Sequence, residues 1–374
     1  MMTSNRILLA AGGTGGHVIP ALAVCNGLKE RGFDCKFLTD IRGQAVLEKI
    51  APEQKVSTIS ASSPVSGVFL KRLLSLFKLS FGVIQSVFYI ARFRPFCIVG
   101  FGGYPSAPPL IAANICQLPS LLHEQNARVG RANLFLANRV KTMLLSWKNS
   151  NPLPKKTDVK LTGLPVRDVF FELADYPEKS HFNADKPCHI LIIGGSLGAE
   201  IFANLIPNAI SKLPKEVQKS LSITQQVRSE QQSELEAAYS AMSVRHFCSS
   251  FFTKMPDEMA KADIIISRAG AASVAEIAAT GRAAIFIPFP ASLDDHQTVN
   301  AKSLTDENAA ILVTQKEAES DPTLLTKELL SLITNPQKCR QMAAKARKLA
   351  HRDALRKIIE TITSCQNSAT RSAK

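Results

Sequence analysis

Residues 8–17 read LLAAGGTGGH, and this stretch decides how the chain folds. Two leucines and two alanines run into five residues of which four are glycine, and His17 then opens a helix-like stretch. A short apolar run closed by glycines reads as a buried strand of a parallel sheet. A glycine loop between strand and helix turns backbone N–H groups toward an anion, and the helix N-terminus adds roughly half a positive charge. Phosphate or diphosphate is the natural guest. The plainer reading of any single loop of this kind is a tight turn with no ligand. The same grammar returns at residues 191–200, LIIGGSLGAE.

Around these two anchors the pattern alternates. Apolar runs at 7–11, 35–38, 96–99, 120–122, 142–145 and 159–161 read as strands. A polar stretch at 178–187 interrupts the rhythm, and further strands are expected at 189–193, 220–224, 245–248, 263–267, 284–288 and 310–313. Helical stretches fall between them, among them 17–30, 130–139, 273–280, 297–306 and 322–333. Strand, helix, strand implies a parallel sheet wrapped by helices, and 374 residues exceed one ordinary core. The expected fold class is therefore α/β: two Rossmann-like, doubly wound, parallel-sheet domains facing a cleft. Their expected bounds are 1–165 and 166–349, with a C-terminal helix of about 350–374 packing back on the first. Ligands of this fold class sit at the carboxyl ends of the strands.

Hydrophobic content of 45% and charged content of 20% describe a globular chain, not a disordered one. The eight cysteines form no C-x-x-C, and Cys248 beside His246 lacks a second ligand pair, so thiols in a reducing cytosol are expected and no metal site. The apolar run at 7–11 is shorter than the roughly 7–15 residues of a secretory signal. The region 79–91 is broken by Ser80, Gly82, Gln85 and Ser86, so no span of about 18–20 continuous apolar residues is expected.

The formal net charge of +14 is unevenly placed. Residues 54–157 hold thirteen Lys and Arg against one acid, Glu124. Such one-sided charge points to nucleic acid, an anionic membrane or phosphate-bearing substrates. Within it, residues 68–95 carry five cations and no acid; Lys71, Ser75, Lys78, Gly82, Gln85, Tyr89 and Arg92 share one helical stripe beside a broad apolar remainder. That is either a core helix or a surface lying on an anionic bilayer, and the cations favour the second. No recognisable nucleic-acid module interleaves aromatic and basic residues, so no nucleic-acid partner is expected.

Spelling narrows what the loops hold. A P-loop needs a lysine that neither glycine loop has. A dinucleotide fingerprint fails at its sixth position, Val18, although Asp40 at the end of the second strand keeps a ribose-binding oxidoreductase as an alternative. A third glycine loop, GFGGYPSAP, spans 100–108, and a fourth small-residue turn, SRAGAASVAEIAA, spans 267–279. Glu276 in the latter is either an acceptor for sugar hydroxyls or a plain helix-surface acid. The lone acid Glu124 sits in LLHEQNARVG beside His123, where it could orient substrate, move a proton, or merely balance Arg128 or Arg131. Asn126 offers both donor and acceptor. At the start of a helix His17 is expected to be neutral, and so either able to accept a proton or a simple cap.

Taken in order, GGTGGHVIPALAV, GFGGYPSAP, HEQNARVGRAN, GLPVR, GGSLGA, SRAGAASVAEIAA and DDHQTVNA resemble the bacterial peptidoglycan glycosyltransferases of family 28 that make lipid II, over residues 6 to about 310. The resemblance implies a GT-B fold, UDP-GlcNAc as donor in the C-terminal domain, lipid I as acceptor, inversion at the anomeric carbon, and no cofactor. It implies that Thr14, Gly15 and Gly16 lie near the donor sugar and diphosphate, and that Asn126 contacts the sugar. Arg167 and Ser196 would contact the donor diphosphate, and Phe252 the uracil through its backbone. Ala271, Ala272, Ser273, Val274, Ala275 and Glu276 would hold ribose and phosphates, with Glu276 on the ribose hydroxyls. Gln297, with His296 beside it, would reach the sugar. His17 and Glu124 are the candidates for activating the acceptor hydroxyl, and Gly13, Gly102, Gly103 and Tyr104 would hold the acceptor diphosphate.

The chain has no D-x-D to hold a nucleotide sugar through a metal; Arg167 and helix N-termini would neutralise the leaving UDP instead. It departs from the family pattern at TQQVRSE, where an HQ-x-G is usual, at DDHQ, and at Leu164. The resemblance further implies a peripheral place on the cytoplasmic face of the bacterial inner membrane, contact with that anionic surface through 68–94, and other cell-wall synthesis or division proteins as partners. Two alternatives stand beside it: another GT-B lipid glycosyltransferase, and a non-catalytic nucleotide-sugar binding module.

Overall fold

The computed structural model describes residues 4–13, 15–62, 69–173, 182–183, 185–195 and 199–371. Thr14, Ser196 and half of the polar stretch at 178–187 lie outside the described residues. The chain divides into two compact units, residues 1–166 with 351–374, and residues 167–350.

In the first unit seven strands, β1 (Arg6–Ala10), β2 (Asp34–Thr39), β3 (Val56–Thr58), β4 (Cys97–Gly100), β5 (Ser120–Glu124), β6 (Thr142–Leu145) and β7 (Asp158–Leu161), form one parallel sheet in the order β3-β2-β1-β4-β5-β6-β7. Its helices are α1 (Gly15–Lys29), α2 (Ile41–Ile50), α3 (Phe69–Phe93), α4 (Ala107–Ile115) and α5 (Arg131–Ala137). The second unit repeats the plan with β8 (Cys188–Ile193), β9 (Leu221–Gln226), β10 (Arg245–Ser249), β11 (Ile264–Ser267), β12 (Ala283–Phe286) and β13 (Ile311–Leu312), ordered β10-β9-β8-β11-β12-β13 and again parallel. Its helices are α6 (Phe202–Ser211), α7 (Lys215–Lys219), α8 (Gln232–Ala241), α9 (Met255–Lys261), α10 (Ala271–Thr280), α11 (His296–Thr305), α12 (Gln315–Ser320), α13 (Pro322–Ile333) and α14 (Pro336–Leu349). The chain then returns to the first unit as α15 (Ala354–Arg371).

Strands β4, β5, β6, β11 and β12 are buried at every residue, as expected where helices cover both sheet faces. Ile358, Ile359, Ile362 and Cys365 of α15 join the core cluster of Val24, Leu28 and Val99. Gly27 permits this approach, because a Cβ there would stand 2.8 Å from Ile359 Cδ1. The strand β3 is absent from the sequence expectation: Val56–Thr58 is three half-buried residues with no apolar run to mark it.

In each sheet the strand order reverses once, between β1 and β4 and between β8 and β11. Such a switch point opens a crevice beyond the carboxyl ends of the two strands. The four small-residue turns picked out in the sequence follow these four strands and no others.

Helix α3 corrects one expectation. Its Leu73–Phe93 portion, with mean hydropathy 1.6, is long and apolar enough to cross a membrane by length and composition. The polar positions of the helical stripe face inward in part. Ser75 and Gly82 are buried, as is Ser86. Gln85 Oε1 accepts from the Ser60 amide at 2.8 Å, and a Cβ on Gly82 would strike the Ser60 carbonyl oxygen. The physical reason is size: small polar residues let α3 lie against residues 59–60 and α4, which leaves the bulky apolar residues outside. Phe77, Phe81, Ile84 and Phe88, spaced by three or four residues, are each more than half exposed.

Candidate active site

The first unit gathers its site residues at the carboxyl ends of β1, β4 and β5. His17, in the first turn of α1, has Nδ1 2.9 Å from the Phe101 carbonyl oxygen and 3.1 Å from Gln125 Oε1. Phe101 follows β4 directly and Gln125 follows β5. Gly102 and Gly103 have φ of 83° and 74°, in the left-handed region that favours glycine. A Cβ on Gly102 would also lie 3.1–3.3 Å from Asn133 Nδ2, His17 Nδ1 and Gln125 Oε1 at once. Ser106 Oγ donates to the carbonyls of Ala10 and Gly102, tying the third glycine loop to the end of β1. Tyr104 opens a one-turn 3-10 helix, Tyr104–Ser106, and is half-buried.

Glu124 is buried, and its carboxylate is occupied. Oε1 accepts from the Asn126 amide at 2.9 Å and from Asn126 Nδ2 at 3.4 Å; Oε2 accepts from the Gly130 amide at 2.9 Å and from Asn133 Nδ2 at 2.7 Å. Four hydrogen bonds fold residues 125–133 around this one acid, so the geometry suits loop-holding better than proton transfer. His123 beside it is wholly buried and held neutral: burial lowers it to about 4, against the opposing pull of the Gly163 carbonyl.

The first glycine loop is built differently from the expectation. Gly13 donates its amide to Asp40 Oδ1 at 3.0 Å, and the same oxygen accepts from the Gly43 amide at 2.9 Å as the cap of α2. Asp40 is thus a structural acid holding the loop, which answers the ribose-binding alternative, and the Gly13 amide is spent before any anion arrives. Arg42, which the sequence reading passed over, donates Nε to Asp40 Oδ2 at 3.1 Å. Its exposed guanidinium reaches Gly13, with Nη2 3.8 Å from where a Cβ would stand. The signal was available in the run DIRG: a cation two residues after the capping acid, and a glycine at 43 whose Cβ would crowd the Gly12 Cα at 3.0 Å. Gly15 and Gly16 are the first two residues of α1.

In the second unit the turn after β11 leads into α10, so Ala271, Ala272 and Ser273 form that helix's first turn, with Val274, Ala275 and Glu276 just beyond. Burial raises Glu276 to about 7, while nearby Arg167 pulls the other way. Arg167 is exposed and lies over the Phe170 ring at 4.9 Å. Gln297 is fixed by its oxygen: Oε1 accepts from the Ala269 amide at 3.2 Å and the Phe289 amide at 2.9 Å, so its amide N–H groups are what remains to donate outward. His296 opens α11, directly after Asp294 and Asp295, both in left-handed conformation.

Arg268, also unremarked in the sequence, organises this end of the sheet. It is buried, donates to the carbonyls of Ile287 and Pro288 and to Gln315 Oε1, and stacks over Phe202 and Phe289. Burial lowers it only to about 10, so it remains a cation at neutral pH. Phe252 is buried, 6.2 Å from the Phe247 ring, and leaves Phe251 exposed beside it. In the departing stretch TQQVRSE, Gln225 and Gln226 turn inward to the carbonyls of Phe202 and Ser250.

Two parallel sheets of this order, each with small-residue turns at its switch point, are the two halves of a GT-B glycosyltransferase. The glycosyltransferase family 28 N-terminal domain matches residues 7–145, and the family 28 C-terminal domain matches residues 189–359. The chain belongs to glycosyltransferase family 28. It is 36% identical to the UDP-N-acetylglucosamine–N-acetylmuramyl-(pentapeptide) pyrophosphoryl-undecaprenol N-acetylglucosamine transferase of Rhizobium meliloti, over 99% of this chain and 98% of that one. It is 37% identical to the protein of the same name from Methylobacterium radiotolerans, over 95% and 96%. The crystal structure of Acinetobacter baumannii MurG superposes with a TM-score of 0.81 at 32% identity, covering 96% of this chain and 99% of that one. A UDP-GlcNAc 2-epimerase from Neisseria meningitidis, at 15% identity and a TM-score of 0.65, shares the fold alone.

Proposed function

We propose that this chain transfers N-acetylglucosamine from UDP-GlcNAc to the C4 hydroxyl of undecaprenyl-diphosphate-linked N-acetylmuramoyl-pentapeptide (lipid I). The products are lipid II and UDP, with inversion at the anomeric carbon. The observation that carries the reading is the end-to-end match to relatives bearing that name. The geometry supplies the chemistry. His17 Nδ1 faces two oxygen acceptors, so it carries the proton and Nε2 carries the lone pair. As the acceptor oxygen attacks the anomeric carbon, Nε2 takes its proton and the sugar–phosphate bond breaks toward UDP. Glu124 holds the 125–133 loop and, through it, Asn126 for the sugar.

On the donor side Arg167, Ser196 and the start of α10 meet the diphosphate, Glu276 accepts from the ribose hydroxyls, Phe252 offers its backbone to uracil, and Gln297 with His296 donates to the sugar. Thr14, Gly15 and Gly16 keep the donor sugar and diphosphate role that the resemblance implies. The second unit is the donor half and the first the acceptor half. For the acceptor diphosphate, Gly102, Gly103 and Tyr104 keep the role the resemblance implies; Arg42 takes the part of Gly13, whose amide is already engaged. The exposed apolar face of α3, with Lys78 and Arg92 on the same helix, lies on the anionic cytoplasmic surface of the inner membrane, where the acceptor lipid is anchored.

Incubation of the purified chain with labelled UDP-GlcNAc and lipid I tests the reading. Label in a lipid-extractable product supports it. Donor that binds but is never consumed indicates a nucleotide-sugar binding module, and transfer to a diacylglycerol in preference to lipid I indicates another lipid glycosyltransferase.

A further inference from the structure

We infer that Gln125 is a positioning residue that, with the Phe101 carbonyl, holds the His17 ring by its Nδ1–H and so aims the Nε2 lone pair at the acceptor hydroxyl; this rests on the base role given to His17 above. Gln125 is buried, and its amide has one workable orientation. Nε2 donates to the Phe101 carbonyl at 2.6 Å, which turns Oε1 toward His17 Nδ1 at 3.1 Å. The reverse orientation would set the amide oxygen against the carbonyl oxygen. Phe101 O itself lies 2.9 Å from Nδ1. One carbonyl therefore receives both side chains, and each polar atom in the triangle is satisfied only when Nδ1 bears the hydrogen. The Gln125 carbonyl accepts from Trp147 Nε1 at 2.8 Å, which holds the residue from behind, and Gly102 leaves no side chain to wedge the triangle apart.

The groups around the ring leave this tautomer undisturbed. From β5 come His123, kept neutral by burial, and Glu124, whose oxygens are filled by Asn126, Gly130 and Asn133. From the β2 side come Asp40 and Arg42, paired with each other beyond Gly12. From the third glycine loop comes Tyr104, next to Gly103, whose Cβ would stand 3.4 Å from His17 Cδ2. An amide partner fixes the tautomer without adding charge. A carboxylate in its place would favour the imidazolium and remove the base at neutral pH.

The test uses the full chain with Gln125→Glu and Gln125→Met, the pH profile of kcat and of kcat/KM for lipid I, and 15N spectra of the histidine rings with His17 assigned through His17→Ala. The expected result has three parts. Gln125→Glu moves the acid limb of the profile to higher pH. Gln125→Met lowers kcat by at least about tenfold, the cost of a ring held by one acceptor instead of two and so poorly aimed, while the KM for UDP-GlcNAc stays within twofold. The wild-type spectrum shows His17 protonated on Nδ1 alone, and Gln125→Met keeps that tautomer through the Phe101 carbonyl while its Nδ1 resonance is displaced by the loss of one acceptor. Acid limbs that coincide in wild type and Gln125→Glu, or a His17 Nδ1 resonance unchanged in Gln125→Met, overturn the inference. Should Gln125→Met fail to fold, Gln125→Glu and the wild-type spectrum decide. Failure of the wild-type chain to transfer GlcNAc would sink the base role itself, and the ring spectra separate that outcome from this one.

Discussion

Glu124 Oε2 accepts a hydrogen bond from Asn133 Nδ2 at 2.7 Å, nine residues along a loop whose amides fill the rest of the carboxylate. A group so engaged is a staple. Glu124→Gln turns an amide N–H against these donors, and the first unit is expected to lose about 1–3 kcal/mol of stability, read as a lower Tm, with any loss of turnover accompanying it. His17→Ala is expected to leave Tm within a degree or two and to lower kcat by about a hundred- to ten-thousand-fold, with donor affinity unchanged. Thermal melts beside steady-state rates check the pair. A Glu124→Gln variant that melts like wild type yet fails to turn over would return the proton-transfer role to Glu124.

Glu276 gives the pH dependence its sign. Burial raises its folded value from 4.5 to about 7, so between those limits the folded chain holds a proton that the unfolded chain has released. That contribution to stability is present below 4.5 and is lost as pH rises through 7. Ribose hydroxyls donate to the ionised form. The KM for UDP-GlcNAc should therefore climb as pH falls below about 7, and Glu276→Gln should flatten that climb while raising KM roughly tenfold. Donor titrations from acid to mildly alkaline pH read both effects; the same acid-side climb in the variant would clear Glu276 of it.

Arg42 carries the charge that the Gly13 amide no longer offers. Arg42→Ala is expected to raise the KM for lipid I by about tenfold or more, the worth of a charge-assisted hydrogen bond to phosphate, and to leave the KM for UDP-GlcNAc alone. Arg42→Lys recovers part of the loss. If both variants keep the wild-type acceptor KM, Arg42 is only the surface partner of Asp40.

The outward face of α3 makes a separate prediction. Replacing Phe81, Ile84 and Phe88 with serine removes exposed side chains, so folding should persist. Partition onto anionic vesicles should fall more than tenfold, since burying each such side chain is worth about 1.5–3 kcal/mol. Co-sedimentation with vesicles measures it, and equal partition of variant and wild type would detach this face from the membrane.

Much of the fold was legible because its decisive strands are buried on both sides and end in glycine. LLAA before GGTGG and LII before GGSLG are periodicity and punctuation together, and both sheets follow from them. The weak edge strand β3 carries no such signal. The orientation of α3 was hidden for a physical reason: its stripe reads equally as core or as membrane surface, and only the close approach of Gly82 to the Ser60 carbonyl shows which side packs inward. At the site, His17 and Glu124 are equally conspicuous in sequence. Only the hydrogen bonds separate them, because one acid has every lone pair engaged and one imidazole has an Nδ1 facing two oxygens. Asp40 stood out as an acid at a strand end. Its use as a cap and loop anchor depended on where α2 begins, which composition does not reveal.

The most direct test follows radiolabelled GlcNAc from UDP-GlcNAc into lipid while UDP release is counted, in wild type and in His17→Ala. One UDP released per GlcNAc joined to lipid I is expected of the wild-type chain, and near-silent transfer of His17→Ala, with UDP-GlcNAc still bound at its normal Kd. Wild-type protein that leaves lipid I unglycosylated, or a His17→Ala variant that transfers at the wild-type rate, would contradict the proposed mechanism.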